Sequence, residues 1–585
     1  MSTSSPMQTS SPLKPEIATC ADLSPPELQA LAERLADQLR KDEETLSKGG
    51  IPSPLAMNMP RKGTAIDKQT RLAHLVAHSL WPPRNEAEEI WSLIKYGQLI
   101  STLSKVVKGG WRKAEAERLA LKHAPRVHMD RGAFCTLKTR GVSRAVREPR
   151  AMPVALTDAA EFRPFFDFLK ADQVPWSNTN PDPGARVEFP RGIFYSDGRM
   201  DLCKQVVGPG SIGPLMDCLR HNSHIRHFLL GNNVIGPAGA RAISEFIAQN
   251  ESVITWYLAG NCIDVNGVAR LAAALAENDV VEALWLKRNP IGPVGARHVA
   301  EMLTTNVRLH TLDLDNCGLL DDGVVSLVAG FKANDTLRHL YLSANGITPA
   351  GAVALGEYFT DCSTKGKAGL ESLYLSVNRI GDSGAAALAK GLRSNRGLKR
   401  LVVSSNQIEA AGAAALCDAL TGHQTLEVLD LGVYTSTADM GELPNRIEDA
   451  GAAAVARLIR TNPKLVYVNV AHNGLTRGGW GEVVGAAIDS PSLVHLDAVE
   501  RGLRKEPHQQ RRLAEQLERN ILGRYGISRA EFLRTELKFV RQPDNVRYIE
   551  SLYRTRDFQN RGTRRGVKKF WDEGDETLKM VAMSA

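Results

Sequence analysis

The sequence predicts an α/β solenoid in which short parallel strands line one surface and helices line the other. Three observations predict this class. A template L-x-x-L-x-L-x-x-N-x-I-x-x-x-G-x-x-x-L-x-x-x-L recurs along the middle of the chain. Its first half alternates with the period of a strand, and its second half spaces apolar residues as a helix does. One such unit cannot bury its own apolar surface, so successive units must stack.

The repeats can be followed copy by copy. Two insertions lengthen the period, at 361–369 after a helix and at 432–444 after a strand. The second delays the asparagine of its copy to Asn445 and places a loop at the rim of the strand surface, where a functional loop and a tolerated insertion both remain open. A degenerate capping copy is expected near residue 197 and a truncated one at Leu493. The full copies begin at Ile225, Val253, Val281, Leu309, Leu337, Leu370, Leu398, Leu426 and Leu465.

The asparagine that follows each strand is expected to be buried at a turn, where its amide satisfies backbone groups of neighbouring copies. Cys317 replaces it in the fourth full copy. The other positions are Asn233, Asn261, Asn289, Asn345, Asn378, Asn406 and Asn473.

The run Gly381-Asp382-Ser383-Gly384 matches the sequence around the nucleophile of trypsin-like serine proteases. It occupies the slot that reads GPAG, GPVG or EDAG in other copies, and the fourth residue of that slot is always glycine. Proline and acidic residues suit the first turn of a helix, and glycine allows close packing there. We therefore interpret the run as a helix start and Ser383 as a variable residue within it.

These motifs resemble the ribonuclease-inhibitor-like class of leucine-rich repeats, which also occurs in NOD-like receptors, in bacterial leucine-rich-repeat proteins and in Ran GTPase-activating proteins. The resemblance covers roughly 197–500, about half of the chain. It implies a curved solenoid, or horseshoe, with parallel strands on the concave face and helices on the convex face, flanked by mainly helical N- and C-terminal regions.

Composition divides the chain into four expected parts. Residues 1–60 form a mostly disordered tail with one amphipathic helix near 25–45, and 61–192 form a helical basic region. Residues 193–500 hold the repeats, and 501–585 form a basic helical cap and tail. Of the net charge of +8, Lys and Arg outnumber Asp and Glu by 28 to 22 in 1–192 and by 20 to 13 in 500–585, whereas 193–499 is acidic, with 25 against 30.

Several classes of chemistry lack a signature. The eight cysteines form no CxxC pair, and no GxxxxGK[ST], HExxH or GxSxG motif occurs. There is no apolar run of about 18 residues, so we expect no membrane span. We expect no catalysis, no metal, no cofactor and no small-molecule substrate. We also expect a reducing, cytoplasmic location, inside a host cell if the chain is a secreted bacterial effector.

The residues between the strand leucines face the concave surface, and the fold does not dictate their identity. Aromatic side chains there are typical anchors for a protein partner, each worth about 2 kcal/mol or more when buried. Cross-strand packing, and coverage by the chain's own N- or C-terminal segment, remain open alternatives. The candidate partner-binding residues are Tyr257, Trp285, Lys287, Asp313, Asp315, Tyr341, Tyr374, Arg400 and Asp430.

Two segments before the repeats suggest other functions. Residues 80–119 are similar to an F-box, with Pro83, Ile94, Leu99, Val107 and Trp111, although its usual Leu-Pro opening is absent. That resemblance implies a ubiquitin-ligase substrate adaptor or a secreted effector as the alternative to a binding scaffold. Residues 105–150 carry 13 Lys and Arg against 4 Asp and Glu. Such a pattern could bind nucleic acid, although it is more often a solvated face or, here, a dock for the acidic repeats.

Overall fold

The computed structural model describes residues 156–174, 176, 184–433, 444–500, 502–503 and 506–554. Within them, thirteen short strands form one open sheet whose order follows the chain from first to last. The strands are β1 (Arg186–Glu188), β2 (Ile193–Tyr195), β3 (Arg199–Asp201), β4 (His227–Leu229), β5 (Thr255–Tyr257), β6 (Ala283–Trp285), β7 (Thr311–Asp313), β8 (His339–Tyr341), β9 (Ser372–Tyr374), β10 (Arg400–Val402), β11 (Val428–Asp430), β12 (Tyr467–Asn469) and β13 (His495–Asp497).

The sheet starts with an antiparallel hairpin and continues as a parallel array. β1 pairs antiparallel with β2, and β2 with β3, whereas every later neighbour from β3 to β13 is parallel. The register places the last residue of each strand beside the last residue of the next, so that Tyr257 pairs with Trp285 and Tyr341 with Tyr374. The predicted α/β solenoid is confirmed.

Helices connect the strands and form the second layer. They begin where the repeat template turns from period two to helical spacing. The helices are α1 (Ala159–Ala171), α2 (Ile212–Leu219), α3 (Gly236–Ile247), α4 (Val265–Ala276), α5 (Gly292–Thr305), α6 (Leu320–Ala333), α7 (Pro349–Thr364), α8 (Gly381–Leu392), α9 (Ala410–Leu420), α10 (Glu448–Thr461), α11 (Arg477–Asp489), α12 (Pro507–Tyr525), α13 (Arg529–Thr535) and α14 (Leu537–Val540).

One continuous apolar core lies between the sheet and the helices. The template leucines and their equivalents, such as Leu284, Leu312 and Leu340, are fully buried in it, together with helix residues such as Ile243 and Leu271. Each repeat buries its apolar residues against its neighbours, which explains why the same apolar template recurs along the array.

The strand-end asparagines form the predicted hydrogen-bonded ladder. Asn289 donates from Nδ2 to the carbonyl oxygens of Leu258 (3.0 Å) and Leu286 (2.7 Å), and its Oδ1 accepts the backbone N–H groups of Asn261 and Ile263, both at 3.0 Å. The thiol of Cys317 takes over part of this role by donating to the Leu286 carbonyl oxygen at 3.4 Å.

The ladder also accommodates the delayed copy. Asn445 donates to the carbonyl oxygens of Val403 and Leu431 at 3.0 and 2.8 Å, and its Oδ1 accepts the N–H of Asn406 at 2.8 Å. The delayed position therefore restores the register after the 432–444 insertion, of which 434–443 lie outside the described residues. Glu500 ends the ladder by accepting the N–H of Asn473 at 2.6 Å.

The GDSG run begins α8, as its position in the repeat predicts. Ser383 is exposed there. A Cβ on Gly384 would lie 2.9 Å from the Ile380 Cβ and 3.0 Å from the Ala352 Cβ, closer than such atoms normally approach. Asp382 accepts the N–H of Glu409 at 2.7 Å, so the acidic residue also ties its helix start to the next repeat.

The C-terminal elements close the last repeat. Gln516 and Asn520 of α12 donate to the Ser490 carbonyl oxygen, both at 3.0 Å, and Leu517 joins the main core. After α12 the chain turns at Gly526, whose φ is +70°, and enters α13 and α14. A short 3₁₀ helix, Asp544–Ile549, follows.

Candidate functional site

The face of the sheet opposite the helices, which we call the concave face, is covered by a C-terminal segment of the same chain. We call residues 536–554 the strap. It crosses the strands in reverse order, from β11 and β12 to β3. Its polar contacts along this path are Arg541 with Asp430, Arg541 with Tyr374, Gln542 with Tyr341, Asn545 with Thr311, Glu550 with Arg199, Ser551 with Asp201, and Tyr553 with Gly192.

The strap buries most of the candidate binding residues. Six of the nine have side chains almost removed from solvent, so the open alternative of coverage by the chain's own C-terminal segment applies to this face. The reason is physical, because an apolar row on a sheet gains free energy from any apolar cover, and the strap supplies one. Their exposed fractions are Tyr257 2%, Trp285 1%, Asp313 2%, Tyr341 6%, Tyr374 4% and Asp430 0%.

An apolar cluster fixes the strap over the N-terminal half of the sheet. Tyr257 and Trp285 pack there with Val546, Ile549 and Tyr553 of the strap. The guanidinium of Arg554 lies 4.7 Å from the centroid of the Tyr257 ring, a cation–π distance.

A second cluster covers the C-terminal half. The rings of Tyr341 and Tyr374 stack with their centroids 4.0 Å apart. Their hydroxyls donate to the strap, the Tyr341 hydroxyl to Gln542 Oε1 at 2.8 Å and the Tyr374 hydroxyl to the Arg541 carbonyl oxygen at 2.6 Å. Both tyrosine hydroxyls therefore hydrogen-bond directly to the strap, one to a side chain and the other to the backbone.

Arg541 of the strap forms an ion pair with the buried carboxylate of Asp430. Its Nη2 lies 2.7 Å from Asp430 Oδ2, and the Asp430 side chain is 1% exposed. Its guanidinium carbon lies 5.5 Å from the centroid of the Tyr467 ring. Burial raises the pKa of Asp430 above its usual range, and the charge of Arg541 opposes that rise. The strap thus supplies the countercharge that this position of the sheet needs.

Asp201 of β3 anchors the far end of the strap. Its Oδ1 accepts the Ser551 hydroxyl and its Oδ2 accepts the Leu552 N–H, both at 3.0 Å. Burial raises the pKa of this carboxyl group, and its hydrogen bonds with Cys203 and Ser551 oppose the rise. Next to it, Arg199 donates to the Glu550 carbonyl oxygen at 2.8 Å.

Lys287, Asp313 and Asp315 form a polar group at the strand ends, with the Lys287 Nζ 4.0 Å from Asp313 Oδ2. Asp313 accepts the N–H of Asp315 at 2.9 Å, and Asp315 accepts that of Ser343 at 2.6 Å. Burial and the neighbouring Asp313 raise the pKa of Asp315 well above its usual range. These carboxylates therefore also support turns. Arg400 is half-buried, with its Nη1 3.5 Å from the Ser372 Oγ.

The sequence interpretation missed Asp201 and every strap residue. One signal was available, because Val546, Ile549 and Tyr553 recur at the spacing of one apolar side of a helical segment. His227 completes the lining, with its ring stacked on Tyr548 at 4.2 Å between centroids. Its Nδ1 lies 3.0 Å from the Thr255 Oγ1.

The described ranges contain no group of three or more His, Cys, Asp or Glu residues placed to hold a metal ion. No helix in the same ranges has the length and apolar character that crossing a membrane requires. Among the described cysteines, Cys203, Cys218, Cys317, Cys362 and Cys417 form no disulfide bond. The amphipathic helix near 25–45, the F-box-like segment 80–119 and the basic segment 105–150 lie outside the described residues.

Comparison with known proteins gives matches within the repeats. The family model described as Leucine Rich repeat matches residues 221–244, 333–356, 370–389 and 394–417. Together with the α/β solenoid, these matches support a leucine-rich-repeat protein. A chain in the crystal structure of the Rad7 and Elc1 complex in yeast is similar at 15% identity, over 48% of this chain and 70% of that chain, with a TM-score of 0.29. A comparison with curated protein sequences gave no significant match.

Proposed function

We propose that this protein is a non-catalytic protein-binding scaffold whose binding surface is the concave face of its repeats. One observation carries the proposal: the concave row already holds a polypeptide segment, the strap, through ring contacts, tyrosine hydroxyls and a buried ion pair. The aromatic residues of the row, such as Trp285 and Tyr341, are of the types that form the centres of protein interfaces.

The charge of the concave face favours a protein over a nucleic acid. With the strap undocked, its carboxylates, which include Asp201, Asp313, Asp315 and Asp430, would repel phosphates. Nucleic-acid binding through 105–150 and an adaptor role through 80–119 are therefore secondary candidates that rest on other parts of the chain. Retention on heparin with strong salt dependence would support the first, and capture of a ubiquitin-ligase core would support the second.

The test must distinguish the effect of a substitution on partner binding from its effect on docking of the strap. Trp285→Ala with Tyr341→Ala changes strap docking as well, because both side chains are buried beneath the strap. We therefore compare three full-length baits. The first is wild type, the second carries Arg541→Glu and Ile549→Asp to weaken the strap, and the third adds Trp285→Ala and Tyr341→Ala to the second.

Quantitative crosslinking and mass spectrometry then measure capture by each bait. A partner of the concave face should be enriched on the second bait and reduced at least about tenfold on the third, because two anchor residues of about 2 kcal/mol each are removed. The matched control adds Val307→Ala and Val325→Ala, which are 71% and 52% exposed away from the sheet, to the second bait. Equal capture by the second and third baits would contradict the proposal.

A further inference from the structure

We propose that the strap is a displaceable internal ligand, and that the partner of the concave face is a protein segment that carries the same recognition groups. These groups are an arginine for Asp430, an aliphatic and aromatic centre for Trp285 and Tyr257, and a hydroxyl for Asp201. The inference rests on the proposed function and adds the chemistry of the partner to it.

The arginine requirement follows from the Asp430 site. Asp430 is fully buried, and a strap residue supplies its cationic partner. A buried carboxylate without a countercharge is strongly unfavourable, so any replacement for the strap must bring a cation to the same place. A guanidinium fits best, because it can pair with the carboxylate while its flat face lies near the Tyr467 ring.

The centre of the segment must be apolar. Ile549 is 5% exposed, and together with Val546 it covers Trp285. The strap backbone is held in place at Tyr374 by its Arg541 carbonyl oxygen and at Asp201 by its Leu552 N–H. Backbone contacts of this kind can be made by any sequence, so the side chains between them set the selectivity.

The strap can leave without opening the solenoid core. The clusters that it forms on the concave face are separate from the core between sheet and helices. Of residues 536–554, only Pro543, Ile549 and Ser551 are buried, and the rest retain partial or full exposure.

The fit of the strap is also incomplete. Within the described chain, Asn545 Oδ1 and Arg554 Nη1 are buried without a hydrogen-bond partner. Buried polar atoms left unpaired cost free energy, so a segment that satisfies the same positions can bind better than the strap does.

Because the strap is covalently attached to the repeats, an incoming segment must compete with it for the concave face. A covalently attached segment competes at an effective concentration of about millimolar for a short flexible link. An incoming segment of equal intrinsic affinity therefore binds the intact chain much more weakly than a chain with a weakened strap. The difference between the two chains is the measurable sign of an internal ligand.

The experiment uses a fluorescent peptide with the sequence of residues 536–554 and measures its anisotropy with full-length chains. We expect the peptide to bind the Arg541→Glu, Ile549→Asp chain at least about tenfold more tightly than the wild-type chain. A chain with Asp544→Ser, an exposed strap position, is the matched control and should bind like wild type. A peptide that itself carries Arg541→Glu and Ile549→Asp should lose binding to the weakened chain.

Two results of the anisotropy titrations would overturn the inference: equal peptide affinity for the wild-type and weakened chains, or equal affinity of the native and altered peptides. Circular dichroism checks that the weakened chain folds. If it does not, a full-length chain with a specific protease sequence after Gly526 replaces it, and peptide exchange after cleavage is required. Formation of a dimer by the weakened chain without peptide binding would assign the surface to a second copy and also overturn the inference.

The outcome is separable from that of the proposed function. Peptide competition without any capture that depends on Trp285 and Tyr341 would leave the internal ligand standing and remove the scaffold function. Capture that depends on those residues but is unchanged by the strap variants would support the scaffold function and remove the internal ligand.

Discussion

Removing the Arg541 side chain should release the strap from the C-terminal half of the sheet. In the folded chain, Arg541 Nη2 lies 2.7 Å from an Asp430 carboxylate that is 1% exposed. Arg541→Ala would leave that carboxylate buried without its countercharge, which costs about 3–5 kcal/mol in comparable sites. The chain can avoid this cost by undocking the strap, because water then reaches Asp430. The loss is therefore limited by the free energy of strap docking.

A second arginine of the strap provides the matched control. Arg547 pairs with Glu536 at 2.6 Å, but the two side chains are 44% and 26% exposed. Exposed pairs contribute about 0–1 kcal/mol, and the contact of Arg547 with the Phe539 ring at 3.9 Å adds about 0.5–1 kcal/mol. We expect Arg547→Ala to loosen the strap far less than Arg541→Ala.

Native-state hydrogen exchange measures the effect locally. Amides of the strap and of β8 to β12 should lose protection by about 2 kcal/mol or more in Arg541→Ala, while amides of the helices on the convex face stay unchanged. Adding Asp430→Asn should recover part of the loss, because a buried amide costs less than a buried unpaired carboxylate. Equal protection of the strap in wild type and Arg541→Ala, within about 0.5 kcal/mol, would refute the ion-pair argument.

Three further predictions concern the repeats and the concave face. Asn289→Ala removes a side chain with four buried hydrogen bonds. It should lower the free energy of unfolding, measured by urea denaturation, by about 2–4 kcal/mol. A loss below about 1 kcal/mol would argue against the ladder as a main stabilising element. Gly384→Ala should cost about 1–3 kcal/mol through overpacking against Ile380 and Ala352, whereas Ser383→Ala, at an exposed position, should be neutral in the same assay, and the reverse order would contradict the helix-start assignment. Burial beneath the strap lowers the pKa of His227 to about 4. A released His227 would titrate near the ordinary value of about 6.5, so lowering the pH through this range should favour release of the strap. NMR titration should show a higher pKa of His227 in the Arg541→Glu, Ile549→Asp chain than in wild type. An unchanged pKa would count against coverage by Tyr548.

The sequence by itself determined the repeat fold, because its information is local. In the regular copies, strand, turn and helix lie 28 residues from the same elements in the next copy, as the hydrogen bond from the Asn261 N–H to Asn289 shows. The position of the delayed copy after the 432–444 insertion was also predictable. The turn after its strand needs a side chain that can form the ladder hydrogen bonds, and Asn445 supplies it. A second asparagine series at the helix ends was missed, although its 28-residue spacing is visible at Asn250, Asn278 and Asn306. Asn306, for instance, donates to the Leu275 carbonyl oxygen at 2.6 Å.

Only the tertiary structure decided what covers the concave face. The partners of the strap lie far away in the chain: Tyr374 and Arg541 are 167 residues apart, and Gly192 and Tyr553 are 361 apart. The aromatic row indicates a surface suited to holding a polypeptide, but no periodic pattern specifies whether its cover is another protein or a distant segment of the same chain. That choice depends on the path of the chain after α12, which brings Arg541 to Asp430 and Ser551 to Asp201.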